Sequence, residues 1–257
     1  LLASPVQADE LESNPLVEDA INRGQVLPNE HRLAKPTVAL LIGAKGAKGA
    51  AIGNCSGTLI APDLVLTAAH CLKMEGMETM VVMAIPAGSR KPIQASSWKT
   101  HPHFKGKVNW GFFGIGAKLV VLNDIALVKL SESAGAGTTV AALPAGNLSS
   151  GVNYKVNPVG FGKPDGTPES KPGTLRIGSS IAYLATASDG APQFLRMDSG
   201  AMTCQGDSGG PIYLDRGGVI TVVGVVSHGD RACETRSVAT SVSHFLDWIR
   251  DTRSQLN

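Results

Sequence analysis

The shortness of its apolar runs constrains this chain more than any other feature. Residues 38–42, 57–60, 64–67, 80–83 and 125–128 are each four or five residues long, apolar or β-branched, and bounded by Gly, Pro, Asp or Asn. A second set follows at 156–161, 178–183, 211–214 and 219–226. Runs of this length suit strands, not long packed helices. The 257 residues include 30 Gly and 15 Pro, enough turn formers to break the chain this often, with no fibrous period. A helical period is convincing only at the C-terminus, where Val242, Phe245, Leu246 and Ile249 fall at i, i+3, i+4 and i+7, with Ser241 or Ser243 in place to cap the start. Two β-rich halves and one terminal helix predict paired antiparallel barrels with a cleft between them.

The halves are expected at about 36–135 and 150–240, with the helix at about 241–251 and an Ala/Gly/Ser/Thr-rich connector at 131–151. Residues 1–20 read as a signal remnant or pro-segment, with a small-x-small site at Val6-Gln7-Ala8, and the folded unit as 21–257. From Glu10 to Lys35 the chain is polar, carries Pro15 and Pro28 and has no period, so it is expected to lie on the surface as a leader. Four cysteines and no Cys-x-x-Cys pair fit two disulfides rather than a zinc site or a redox dithiol. No apolar run approaches the roughly 18 residues that span a bilayer. These features together point to an oxidising compartment, secreted or periplasmic. A net charge of +2, with no basic block, argues against nucleic acid and membrane as partners. The segment 43–49, rich in Gly and Lys, lacks the Gly-Lys-Ser/Thr ending of a phosphate loop and reads as a flexible hairpin loop.

Three separated segments carry chemistry. In Cys204-Gln205-Gly206-Asp207-Ser208-Gly209-Gly210-Pro211, a serine between glycines can sit on an open, strained turn where backbone N–H groups converge. Upstream lies Leu66-Thr67-Ala68-Ala69-His70-Cys71, and between the two Asn123-Asp124-Ile125-Ala126-Leu127-Val128-Lys129-Leu130, an acidic residue opening an apolar strand. Each alone has a bland reading, as a Gly-rich bend, a core histidine or a strand-end carboxylate. Together they do not.

Order and context resemble the chymotrypsin-like, trypsin-fold serine proteases, from about residue 36 to 249, in the manner of a secreted bacterial-type member. His101-Pro102 with Phe104, Gly160-Phe161-Gly162 and Trp248-Ile249 echo further family stretches. The resemblance implies an all-β fold of two antiparallel six-stranded β-barrels packed face to face with a C-terminal α-helix. It selects disulfides Cys55 with Cys71 and Cys204 with Cys233. It makes Ser208 the nucleophile, His70 the general base and Asp124 the group that holds the imidazole tautomer. The N–H groups of Gly206 and Ser208 would form the oxyanion hole. No cofactor or metal is implied; His101 and His103 form a His-x-His pair with no third ligand at convincing spacing.

At the base of the pocket for the residue preceding the scissile bond, the resemblance puts Met202, a weak acceptor that fills space and suits an apolar side chain. Thr203 and Ser237 would line that pocket. Ser227 and Gly229 would pair with substrate backbone, and His228 stands where the family usually has an aromatic, so that with Thr203 and Arg236 it could favour an acidic side chain. The chain between His101 and Asp124 is longer than the family pattern, and its stretch Trp110-Gly111-Phe112-Phe113-Gly114 is expected to border the cleft. Activation departs too: Ile-Val-Gly-Gly is absent, Ile21-Asn22-Arg23-Gly24 is the nearest candidate for the new N-terminus, and Asp207 would be its partner. The expected function is that of a secreted serine endopeptidase acting on proteins and peptides, with protein inhibitors as further partners and a monomeric state. The competing reading is a non-catalytic binding module that lost activation. A lipase or esterase would place Ser in Gly-x-Ser-x-Gly and reach His last.

Overall fold

The computed structural model describes residues 21–44, 53–73, 80–106, 121–135, 138–186, 191 and 193–256. The leader at 1–20, most of the 43–49 loop and the stretch 110–114 lie outside the described residues.

After a two-residue strand β1 (Gln25–Val26), the first barrel comprises β2 (Thr37–Ala44), β3 (Gly53–Ala61), β4 (Leu64–Thr67), β5 (Met80–Pro86), β6 (Ile93–Thr100) and β7 (Ala126–Leu130). A short helix α1 (Ala69–Leu72) follows β4. The barrel closes in the order β2-β3-β4-β7-β6-β5, all antiparallel. The second contains β8 (Tyr154–Gly160), β10 (Ser180–Ala185), β11 (Phe194–Gly200), β12 (Pro211–Arg216), β13 (Val219–Gly229) and β14 (Ser237–Ser241), with the short β9 (Arg176–Ile177) between β8 and β10 in sequence. It closes as β8-β10-β11-β14-β13-β12, through a β8–β12 pairing, while β9 and β1 extend from β8. The expected two six-stranded barrels are therefore what the chain forms.

Val38, Leu40, Leu59, Leu66 and Leu127 fill the first barrel, and Val156, Leu195, Met197, Ile212 and Val223 the second. The C-terminal element is a 3₁₀ turn (Val242–Phe245) leading into α2 (Leu246–Gln255). Val242, Phe245 and Ile249 bury themselves with the first barrel's core, so a residue stretch following the second barrel packs back on the first.

Two expectations are corrected. Neither Ser241 nor Ser243 caps the helix: the two hydroxyls lie 3.1 Å apart, and Ser243 instead accepts the Leu148 N–H. The 3₁₀ turn occupies the position where a cap would act. Nor is the whole of 10–35 a surface leader, because Ile21, Leu27, Leu33 and Ala34 are buried. β1 pairs with β9, and Leu27 N–H donates to the Leu175 carbonyl at 2.9 Å, so this segment is stitched to the body despite lacking a period.

Candidate active site

His70 and Asp124 come from the first barrel, each from a break in regular structure. α1 turns the chain after β4, and the backbone N–H of His70 donates to Asp124 Oδ1 at 2.9 Å. Asn123 has φ +53, and Ile125 N–H reaches back to its carbonyl at 2.9 Å, which puts Asp124 at the apex of a three-residue turn. His70 Nδ1 lies 2.7 Å from Asp124 Oδ2. The carboxylate is fully buried, and burial alone would raise its pKa; the charge of His70 and hydrogen bonds from His70 and Ser227 win and hold it below the ordinary 3.8. It is ionised at neutral pH. The second barrel supplies further clamps: Ser227 Oγ donates to Asp124 Oδ2 at 2.6 Å and Thr240 Oγ1 to the Asp124 carbonyl at 2.9 Å. The Asn123 N–H donates to Oε1 of the buried Gln193 at 2.9 Å.

Ser208 lies on the turn between the Cys204–Cys233 disulfide and β12. Gly206 (φ +99) and Gly209 (φ +78) take conformations that side-chain-bearing residues rarely adopt. A Cβ on Gly209 would sit 2.1 Å from Thr67 Oγ1 and 2.6 Å from the Ser56 carbonyl, so the serine turn lies directly on the first barrel. Ser56 is the joint. Its N–H donates to the Ser208 carbonyl at 2.8 Å, and its hydroxyl donates to the Gly206 carbonyl at 2.9 Å while accepting the Phe161 N–H at 3.0 Å. Cys71, disulfide-bonded to Cys55, has its sulfur 3.7 Å from the same Ser208 carbonyl, which brings Ser208 beside the turn that carries His70. The N–H groups of Gly206 and Ser208 donate to no backbone carbonyl among the described residues.

Met202, Thr203 and Ser237 form one buried group. Thr203 donates to Ser237 Oγ through its N–H at 2.8 Å and its hydroxyl at 3.0 Å, and Ser237 Oγ is 3.7 Å from Met202 Sδ. Met202 also bridges to Asn22, its N–H donating to the Asn22 carbonyl at 3.0 Å. On β13, Gly229 pairs with Ser237, and a Cβ there would meet the Arg236 carbonyl at 2.7 Å. His228 is half-buried, its Nδ1 is 3.2 Å from Ser227 Oγ, and its ring stands edge-on to Phe194.

Asp207 is buried and accepts the N–H groups of Gly162 and Cys204, each at 2.8 Å. Burial pushes its pKa up to about 7 against those bonds and the positive charge of Arg176. Ile21 is buried too, beside Gly178.

The one group of three metal-type donors among the described residues is Cys55, His70 and Cys71, and both sulfurs are tied in the disulfide. His101 packs its ring against Phe245 and Trp248, each 5.2 Å away, and burial, followed by the charges of His103 and His244, lowers its pKa to about 4.

Sequence reasoning missed Ser56, Thr240 and Gln193. The available signal for Ser56 is its place directly after the disulfide cysteine Cys55 in β3.

Comparison with known proteins covers all of these positions except Ile21 and Asn22. A family model described as Trypsin matches residues 35–249. The chain is 30% identical over 216 residues to trypsin-3 of Salmo salar, covering 78% of this chain and 83% of that one. It is 28% identical over 211 residues to brachyurin of Leptuca pugilator, covering 76% and 86% of the two chains. Against trypsin of Sus scrofa it is 27% identical over 216 residues, with 77% and 84% covered.

Proposed function

Since the chain belongs to the trypsin family and is a serine endopeptidase, we propose that it hydrolyses peptide bonds with Ser208 as nucleophile, His70 as general base and Asp124 as the carboxylate that orients and stabilises the imidazole. The observation that carries this reading is the buried His70–Asp124 pair, 2.7 Å between Nδ1 and Oδ2, facing a serine turn that Ser56 bonds to the first barrel. Attack by Ser208 Oγ on the scissile carbonyl passes its proton to His70, which later returns it to the departing amine. The N–H groups of Gly206 and Ser208 stabilise the oxyanion. Removing one such donor costs about 10²–10³ in kcat where it has been measured, so the turn geometry matters as much as the nucleophile.

The base of the specificity pocket is built by Met202, Thr203 and Ser237. No charge lies among them, and the two hydroxyls are engaged with each other, so an apolar residue of small to medium size is favoured before the scissile bond. Ser227 and Gly229 supply main-chain groups to an extended substrate, with His228 lining the same edge.

Activation follows from Asp207. Among the described residues the buried Asp207 carboxylate takes two N–H hydrogen bonds and feels the charge of Arg176, yet burial still outweighs them; cleavage before Ile21 would add an ammonium as a further cation. The processed enzyme therefore starts at Ile21, and its precursor is weakly active. Two disulfides support export to an oxidising space.

A serine-reactive phosphonate separates this reading from a non-catalytic module. Labelling of Ser208, abolished in Ser208→Ala, is the expected result; an unlabelled processed protein would contradict it.

A further inference from the structure

A second imidazole stands one hydroxyl away from the carboxylate on which His70 rests. We propose that His228 is a positioning residue for hydrolysis: its Nδ1–H fixes the Ser227 hydroxyl as a donor to Asp124. This rests on the reading of Ser208, His70 and Asp124 as the triad.

The polarity of the hydrogen-bond chain leaves one solution. Asp124 is ionised, and an ionised carboxylate only accepts. Ser227 Oγ, 2.6 Å from Asp124 Oδ2, therefore donates its single hydrogen there. Toward His228 Nδ1, 3.2 Å away, the same oxygen can then only accept. Nδ1 must carry a proton. The neutral ring is thus held as the Nδ1–H tautomer, with Nε2 as the acceptor.

The fold is built to allow this. Successive side chains on a strand normally point to opposite faces, but the β13–β14 register shifts between Val226 and His228. The irregularity lets the neighbours Ser227 and His228 reach each other. Phe194, on β11, stands at 88° to the imidazole with ring centroids 6.4 Å apart, which restrains its rotation. Phe194 pairs with Thr240, the residue that holds the Asp124 carbonyl. Thus β13 bonds the Asp124 carboxylate, β14 its backbone carbonyl, and β11 braces both through Phe194.

The ionisable groups that face His228 are Asp124, His70 and Arg236. Burial, the largest cause, and the charges of His70 and Arg236 lower its proton affinity, while Asp124 raises it. It stays neutral where His70 works. Without the Nδ1–H, the Ser227 hydroxyl is free to turn, the carboxylate loses a donor and becomes more basic, and the His70 imidazolium is held more tightly. The acid limb of kcat/KM then moves to higher pH.

The test compares processed wild type, His228→Phe, His228→Asn and Ser208→Ala on a peptide substrate across pH, with thermal unfolding to verify folding. Asn carries its amide nitrogen where Nδ1 lies; Phe keeps the ring and loses the donor. His228→Phe is expected to lower kcat by about three- to tenfold, since the lost bond acts on a charged group at one remove. The acid limb should shift upward, and His228→Asn should recover most of both effects. Equal kcat and acid limbs for the Phe and Asn variants, or a loss confined to KM, would overturn the proposal and leave the ring as a cleft lining. Should His228→Phe fail to fold, His228→Gln replaces it, because its amide reaches past the Nδ1 position; equal acid limbs for Gln and Asn again overturn it. Activity surviving in Ser208→Ala would instead overturn the triad reading, independently of the His228 series.

Discussion

Asp124 gathers its hydrogen bonds from both barrels: the backbone N–H and Nδ1 of His70 from one, Ser227 and Thr240 from the other. Its amide cannot reproduce that set, because it would turn a donor toward the His70 or Ser227 side. Asp124→Asn should fold and yet lose about 10⁴-fold in kcat, as in the serine-protease triad generally. Peptide hydrolysis under saturating substrate measures this, and a loss below tenfold would contradict the role. Because its pKa is depressed, the stabilisation from this carboxylate is fully present above 3.8 and disappears as pH falls through the lower folded value. At this scale the buried His70–Asp124 pair was legible, since each residue sits in a distinctive local stretch, as does Ser208, the proposed nucleophile. Their supports were not. Ser227 was read for its main chain, while Thr240, Gln193 and Ser56 bond partners 116, 70 and 150 residues away, distances over which a small polar residue leaves no trace in sequence.

The serine turn is the element most sensitive to added volume. Gly209→Ala would force a left-handed residue to bear a Cβ against Thr67 Oγ1 and the backbone carbonyl of Ser56. It should destabilise by more than about 2 kcal/mol and lower kcat by at least about 100-fold through the displaced oxyanion donors. Gly146→Ala, where a Cβ meets nothing within 4 Å, should leave Tm and rate unchanged. Calorimetry with the same hydrolysis assay distinguishes the two; matching behaviour would mean that the turn is not under this constraint. Strands resting on continuous apolar runs, such as β4 and β12, were visible in sequence. β6, β11 and β14 were not: β6, Ile-Gln-Ala-Ser-Ser-Trp-Lys-Thr, mixes isolated apolar residues with polar ones, and β14 is Ser-Val-Ala-Thr-Ser, buried throughout although three of its five residues are polar. Its hydroxyls are accommodated through bonds such as Thr240 to Asp124 and Ser241 to Ser243, which hydropathy does not register.

With the proposed triad, the molecule works only as a joined pair of barrels: Ser208 belongs to one and His70 and Asp124 to the other, and Ser56 bonds the two. Global stability should report the state of Asp207. Its pKa is raised from 3.8 to about 7, so its contribution is fully present below 3.8 and is lost as pH rises through about 7. The unprocessed precursor should lose several degrees of Tm across that window, Asp207→Asn should flatten the decline, and cleavage before Ile21 should do the same by supplying a cation. Parallel Tm curves for all three would contradict this account of activation. Two barrels and a closing helix were legible from run length and period, but the return of 21–36 to the body was not, since buried Ile21, Leu27 and Leu33 are spaced too irregularly to announce a buried face.

Ser208, in this two-barrel setting, is proposed to cleave peptides after uncharged side chains. This is tested most directly by incubating the processed enzyme and Ser208→Ala with a diverse peptide mixture and reading cleavage sites by mass spectrometry. Cleavage after small to medium apolar residues by the wild type, and none by the variant, is the predicted result. Equal cleavage by both proteins, or cleavage chiefly after Lys or Arg, would contradict it.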